Sequence, residues 1–509
     1  MSWLVARLEH HAQAQPLGIA VQHAGAVLRY AQLLAQVHRL AGALHGLGIE
    51  RGDRVAVILP NSIEAVVATY AIWMAGAVVV PLNTQAKSRE FTPWLAHAGA
   101  RAVIHESDQR DAQIAIQAQD HDPLAIVTGE PLPNSVALRW NDLLEHAPID
   151  ADVTLDAHAL AMILYTSGTT GQPKGVMLSH ANLAANVQSI IAYLELASTD
   201  SIVSILPFYY SYGASVLHTH LAAGARVVIE SNLVFPHLMV ETMARERVSG
   251  FSGVPSTYVL LLNRVRLADY DLSSVRYLTQ AGGAMAPAVT ERVLAALPQA
   301  RLFVMYGQTE ATARLAWLPP ERLADKLGAV GLPIAGVELE VRDEHGAGVG
   351  AQTIGEVHAR GANIMLGYWR DAQTTSGVLR DGWLRTGDMG YIDNDGFLFL
   401  SGRRSDMIKT GAHRVHPNDV EQVIAELDGI SEVAVLGIDD DVLGQVIKAF
   451  VVFEHGADPS LDRIKAHCRE RLASYKIPKF IVSVADLPKT GSGKIRRAQL
   501  ADIEQGEVS

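Results

Sequence analysis

Short apolar runs alternate with stretches of helical period along the first 160 residues of this chain. Residues 54–59 and 77–80 are brief and almost uniformly apolar, which reads as buried strand. Residues 30–44 and 62–74 place apolar side chains at helical spacing. Such alternation predicts parallel sheet with helices on its faces. Further buried strands are predicted at 159–164, 275–279 and 301–306, and a helix from residue 179 to 191. From about residue 330 the pattern changes. Residues 337–341, 355–360 and 396–400 are short strands between glycine-rich turns, which predicts a small antiparallel or barrel-like part. Past residue 402, helices at 419–427 and 461–473 and strands at 432–436 and 448–453 predict a compact α/β module.

Composition narrows the picture. A chain of 509 residues exceeds one ordinary domain, and 49% apolar residues allow large cores. The net charge of −12 argues against nucleic-acid binding as the main business. One cysteine, Cys468, excludes an internal disulfide framework and a multi-cysteine metal site, and is expected on an amphipathic helix. The first residues have an early acid and no sustained apolar core, unlike a signal peptide. The longest apolar run, residues 65–80, is shorter than the roughly 20 residues of a membrane helix, and Gly76 splits it. A soluble, cytoplasmic protein is expected, monomeric or homodimeric.

The candidate chemistry begins at Tyr165-Thr-Ser-Gly-Thr-Thr-Gly-Gln-Pro-Lys-Gly175. The glycines let backbone N–H groups line a concave anion site, the hydroxyls add donors, and Lys174 adds a point charge. It is read as a polar loop between a strand and a helix, suited to a polyphosphate. It is not a Walker loop, since Pro173 and Gly175 flank the lysine. The turn residues 206–213 gather Phe208, Tyr209, Tyr210 and Tyr212, which serve equally for core packing or for a pocket wall. Paired glycines Gly282 and Gly283, followed by Ala284, suit either a tight turn or a flat group lying on the backbone. Tyr306-Gly-Gln-Thr-Glu310 follows a buried strand, and open parallel sheets place ligands beyond such strand ends. Thr309 can donate to a phosphate and Glu310 is a hard oxygen ligand for Mg²⁺. Arg314, four residues on, is read as a surface arginine.

Together these strings resemble the signatures of the adenylate-forming superfamily, which holds acyl-CoA synthetases, acid- and amino-acid-adenylating domains and luciferases. Trp383-Leu-Arg-Thr-Gly-Asp388, Gly402-Arg-Arg-Ser-Asp-Met-Ile-Lys409 and Pro488-Lys-Thr-Gly-Ser-Gly-Lys-Ile-Arg-Arg497 complete the resemblance over essentially the whole chain. It implies an α/β multidomain fold. Residues 1–401 would form two helix-flanked sheets plus the barrel-like subdomain, and residues 402–509 a mobile C-terminal domain. It implies binding of ATP or AMP by Thr166, Ser167, Gly168, Thr169, Thr170, Gly171, Lys174, Gly282, Gly283, Ala284, Tyr306, Gly307, Asp388 and Arg403. Asp388 and Arg403 would meet the ribose, and Glu310 the Mg²⁺. Lys494, with Thr309 and Glu310, would be catalytic. Tyr210, Ser211 and Gly283 would border a carboxylic acid. Ser211 stands where amino-acid-adenylating relatives keep an aspartate, so an α-amino acid is an unsuited substrate.

The implied reaction makes an acyl-adenylate and pyrophosphate, after which a thiol, CoA as the leading acceptor, displaces AMP. Two departures stand out. The hinge position, usually Asp or Lys, is Ser405, and Ala412, after Gly411 on the thiol path, replaces a common second glycine. A carrier-protein phosphopantetheine is the alternative acceptor, and a luciferase-like oxygenase or an inactive nucleotide-binding protein are further alternatives.

Overall fold

Parallel pairing builds the platform on which the motif residues stand. The computed structural model describes residues 2–131, 136–149, 156–166, 174–230, 235–403, 406–410, 413–440, 444–454, 457, 460–490 and 495–500. One sheet runs in parallel through Ile19–His23, Arg226–Ile229, Ser201–Ser204, Gly250–Gly253, Tyr277–Gln280 and Arg301–Tyr306. At Arg301–Tyr306 the ladder turns antiparallel and continues through Ala316–Leu318, Ala329–Pro333, Leu398–Arg403, Trp383–Ile392, Gly355–Gly361 and Val337–Arg342. The antiparallel strands expected after residue 330 are therefore hydrogen-bonded onto the parallel ladder, in one sheet of 14 strands among the described residues. A second, 8-stranded sheet is centred on Leu160–Thr166, Val78–Pro81, Arg54–Ile58 and Ala100–Glu106.

The helices Tyr30–Gly46, Ile63–Met74, His180–Leu194 and Ser211–Ala223 join these sheets into one core. Val55 and Val57 of the second sheet and Ile202 and Val227 of the first belong to one apolar cluster, through Leu40, Tyr70, Trp73 and Leu217 of the helices. A helix between two sheets has no solvent face, and Ile63–Met74 accordingly buries every residue from Ala65 to Met74. Its polar groups are met locally. Ser62 Oγ accepts from Ala65 N at 3.1 Å, and Trp73 Nε1 donates to Ala161 O at 2.9 Å.

The stretch after the glycine-rich motif differs from expectation. In place of a direct strand-to-helix connection, the strand Lys174–Ser179 runs antiparallel to Leu160–Thr166, with Thr166 opposite Lys174. The motif is thus the connection of a hairpin. The six-residue strand shows too little alternation to be read locally, and its pairing with the preceding strand supplies what its sequence lacks. Helical structure does begin after residue 179. Ser179 caps His180–Leu194, accepting from Asn182 N at 3.1 Å and donating its own N–H to Asn182 Oδ1 at 2.8 Å.

The C-terminal module packs helices Pro417–Ala425 and Leu461–Arg471 against the antiparallel pair Ile430–Asp440 and Gly444–Phe453. Val420, Ile424, Val435, Ile447, Val451, Ile464 and Cys468 form its core, so the lone cysteine is a buried helix residue as expected. Among the described residues no helix is long and apolar enough to cross a membrane.

Three buried histidines make the large core acid-sensitive. Burial lowers the pKa of His180 to about 4, of His218 to about 3 and of His220 to about 4. The unfolded chain protonates them near 6.5, whereas the fold holds them neutral. Stability is therefore complete above pH 6.5 and declines as pH falls below it, by up to ~1.4 kcal/mol per pH unit for each histidine. The thermal midpoint should drop between pH 7 and pH 5, and drop less in His218→Leu. A midpoint that is flat across this range would contradict neutral burial.

Candidate functional site

The carboxyl end of Arg301–Tyr306 is where the motif residues converge. The chain leaves the strand through Gly307, where a Cβ would lie 2.2 Å from the Ala313 carbonyl oxygen. A short 3₁₀ turn, Thr309–Ala311, follows, and Thr312 then adopts φ 64°, a conformation β-branched residues rarely take. Neighbouring groups hold this strained turn. Thr312 Oγ1 donates to Asn363 O at 2.7 Å, and Asn363 Nδ2 donates to Ala311 O at 3.2 Å and Arg314 O at 2.7 Å. The turn fixes Thr309 and Glu310 just beyond the strand end.

Side chains from other segments meet the strand end and the turn. Tyr306 Oη donates to Asp388 Oδ2 at 2.6 Å, while Arg403 Nε lies 3.0 Å from Asp388 Oδ1. Asp388 and Arg403 are cross-strand partners, so the sheet register itself sets this pair. The Asp388 carboxylate raises the pKa of Arg403, and burial followed by the same carboxylate raises that of the Tyr306 phenol, which stays a donor. Ser211 Oγ stands 3.2 Å from Thr309 Oγ1, joining the aromatic segment to the motif. Tyr368 Oη donates to Glu310 Oε1 at 2.9 Å, and Lys174 Nζ lies 5.7 Å from the centre of the Tyr368 ring. Gln280 Nε2 donates to Gly283 O at 2.7 Å, shaping the turn through Gly282, whose φ is +88°.

The structure thus gathers Lys174, Ser211, Tyr306, Gly307, Thr309, Glu310, Asp388 and Arg403, and Thr166 stands opposite Lys174 in the hairpin. Tyr210 caps the helix Ser211–Ala223, its ring 4.7 Å from that of Tyr209. Ala284 follows Gly283 in the turn before the helix Pro287–Ala296. Ser167, Gly168, Thr169, Thr170, Gly171, Ser405, Gly411, Ala412 and Lys494 lie outside the described residues.

One expectation is overturned. Arg314 is 2% exposed, not a surface residue. Its guanidinium carbon sits 4.3 Å over the Tyr212 ring, Nη1 donates to Ala313 O at 3.1 Å, and Nε faces Met305 Sδ at 3.3 Å. The strained turn folds the chain back over Tyr212, and that return buries the arginine. Sequence reasoning also missed Tyr368 and gave Asn61 no specific task. Asn61 Oδ1 accepts from Phe208 N at 2.8 Å and its Nδ2 donates to Leu206 O at 2.8 Å, clamping the aromatic segment. Asn61 lies between the strand Arg54–Ile58 and the helix Ile63–Met74, and the local sequence marks the distant partners of neither Asn61 nor Tyr368.

A divalent cation fits this chemistry in one way. Among the described residues no three His, Cys, Asp or Glu side chains converge, so the protein alone builds no cage. Glu310 would supply one hard oxygen, with phosphate and water oxygens completing the shell.

The turn at Gly307 predicts a specific sensitivity. Gly307→Ala must push the Ala313 backbone aside and should destabilise the fold by about 1–3 kcal/mol. Gly350→Ala, where a Cβ meets nothing within 4 Å, should leave the thermal midpoint unchanged. Equal midpoints for the two variants would contradict the close approach.

Comparisons with known proteins identify the family. The AMP-binding enzyme model matches residues 8–369, and that of the AMP-binding enzyme C-terminal domain matches residues 419–494. The chain is 35% identical over 502 residues to a feruloyl-CoA synthase of Amycolatopsis sp, covering 98% of each. It is 30% identical over 520 residues to a long-chain-fatty-acid–CoA ligase of Bacillus subtilis (strain 168), covering 95% of this chain and 91% of the relative. The crystal structure of an anthranilate CoA ligase in complex with anthranoyl-AMP superposes with a TM-score of 0.91 at 26% identity, over 98% of this chain and 96% of that one. Matched by these models over residues 8–369 and 419–494, this chain belongs to the AMP-binding enzyme family of adenylate-forming ligases.

Proposed function

We propose that this protein is an AMP-forming carboxylic acid–CoA ligase. It activates an acid with MgATP to an acyl-adenylate, releases pyrophosphate, and transfers the acyl group to the CoA thiol. The observation that carries this reading is the cluster at the end of Arg301–Tyr306. Lys174, a cation suited to phosphate, lies by the Tyr368 ring, Tyr368 donates to the metal-suited carboxylate of Glu310, and Tyr306 at the strand end donates to the hydroxyl-accepting carboxylate of Asp388. Relatives named as CoA ligases over nearly the full length support the thiol acceptor.

In this reading residues 1–401 bind ATP and acid, and residues 402–509 carry the general charge stabiliser, Lys494. Asp388 accepts from the ribose hydroxyls, as a carboxylate with paired acceptor oxygens can. Arg403 and Tyr306 hold it in place. Thr309 donates to a phosphate oxygen. Glu310 gives a bound Mg²⁺ one ligand, and the ion offsets phosphate charge. The acid lies beside Tyr210, Ser211 and Gly283. A carboxylate and a polyphosphate repel each other, so the chemistry depends on positive charge delivered where both meet. Lys494 supplies it during adenylation, bridging the carboxylate and the α-phosphate oxygens. The thiol step has no such need.

Acid-dependent exchange of pyrophosphate into ATP across a panel of aryl, short, medium and long-chain acids tests the first half-reaction. Thioester yield with CoA, against yield with a phosphopantetheinylated carrier, tests the second. AMP and pyrophosphate are the expected products, and ADP with free phosphate would overturn the proposal. Efficient carrier loading without CoA thioester would overturn the choice of acceptor. Lys494→Ala should slow adenylation at least ~10²-fold, the scale for losing one electrostatic stabiliser. It should spare thioester formation from supplied acyl-adenylate, and equal losses in both halves would refute the assignment.

A further inference from the structure

Lys489 and Ile495 flank the stretch of sequence that bears Lys494, and both flanks are anchored. Lys489 and Ile495 form an antiparallel bridge, and Arg496 N donates to Pro488 O at 2.7 Å, so the flanks make a short neck. Beneath the neck, Leu487 and Leu500 are buried with Ala434 and Phe450 in a small cluster, with Ile495 packed against it.

Charge secures each side of the neck. Lys489 Nζ lies 2.8 Å from Glu432 Oε2 and 3.2 Å from Asp486 Oδ1. On the other side, Arg497 Nη2 donates to both oxygens of Glu421, at 2.7 and 3.0 Å. Glu421 Oε1 also accepts from Val435 N at 2.8 Å. Glu432 and Val435 belong to the same strand, Ile430–Asp440, so one strand backs both anchors. Arg497 Nη1 extends to within 3.6 Å of Asp406, the residue after Ser405.

Glu421 sits on the helix Pro417–Ala425, between Val420 and Ile424, which do the apolar packing. Its carboxylate instead links that helix and the strand Ile430–Asp440 to the neck. A long amine on a free backbone samples many positions and stabilises a transition state only in a few of them. Fixing the backbone on either side removes that loss.

We propose that Glu421, acting through Arg497, is a positioning residue for the adenylation half-reaction. The pair holds the returning flank of the neck so that the Lys494 amine is delivered to the reacting anions in a narrow range of positions. This rests on the assignment of Lys494 made above. Glu421 touches neither substrate nor nucleotide. Because the thiol step does not use Lys494, it should be largely indifferent to the pair.

The test compares the wild type, Glu421→Gln, Arg497→Lys, Lys494→Ala and the double variant Glu421→Gln/Lys494→Ala. Adenylation is read by acid-dependent pyrophosphate exchange, and transfer is read from supplied acyl-adenylate and CoA. Glu421→Gln removes the charge but keeps the shape and should slow adenylation about 10- to 100-fold, the scale of a small misplacement of a catalytic group. Transfer should stay within about twofold. Arg497→Lys, which keeps the charge and loses the fork, should fall between wild type and Glu421→Gln. In the Lys494→Ala background, Glu421→Gln should cause no further loss, since a residue that acts only through another shows no effect once that other is gone. Multiplying losses in the double variant would overturn the proposal, as would equal loss in both half-reactions or no loss in either. If Lys494→Ala itself leaves adenylation intact, the assignment beneath fails, and the single-variant data identify that failure separately.

Discussion

The hydrogen bond from Tyr306 to Asp388 joins the two parts of the long sheet where the motif residues meet. Tyr306 ends the last parallel strand, and Asp388 lies in the antiparallel continuation. Burial without a partner would make either group costly, so each fixes the other. Arg403 pairs with the same carboxylate from the neighbouring strand. Preorganisation of this kind is what a site for a highly charged substrate requires, since water otherwise competes for every charged group.

Rigidity at this point descends from the layers below. Two sheets share one apolar core through helices such as Ile63–Met74, which has no polar face to expose. The strand ends are therefore held by packing on both sides, and the turns beyond them can carry strain. Thr312 does so at φ 64°, held by Asn363. Asn61 plays the same part on the aromatic segment. Backbone clamps by asparagine at both borders leave Ser211 and Thr309 facing each other at 3.2 Å.

The C-terminal module follows a different economy. Its core is small, and the carboxylates Glu421 and Glu432 extend its order outward to the neck around residues 489–497. The motif groups around Tyr306 thus rest on the core shared by the two sheets, whereas the C-terminal module has a core of its own.

Much of this was legible in the chain itself. Residues 301–306 were assigned as a strand from hydrophobicity alone, and the helices around residues 30–46 and 63–74 were marked by their periodicity. These are local signals, because burial on one face or on all faces is written in consecutive residues. The motif strings were equally local and carried the family. What the sequence could not carry were facts made by distant pairing. The strand Lys174–Ser179 exists because Leu160–Thr166 and Gly367–Tyr368 flank it, and that second pairing brings Tyr368 to Glu310 and Lys174. Arg314 reads as exposed in any window of its own neighbours, yet the return of the chain over Tyr212 buries it. Register and chain reversal are decided by contacts between segments far apart in sequence, and a polar residue's burial depends on which of those contacts closes over it.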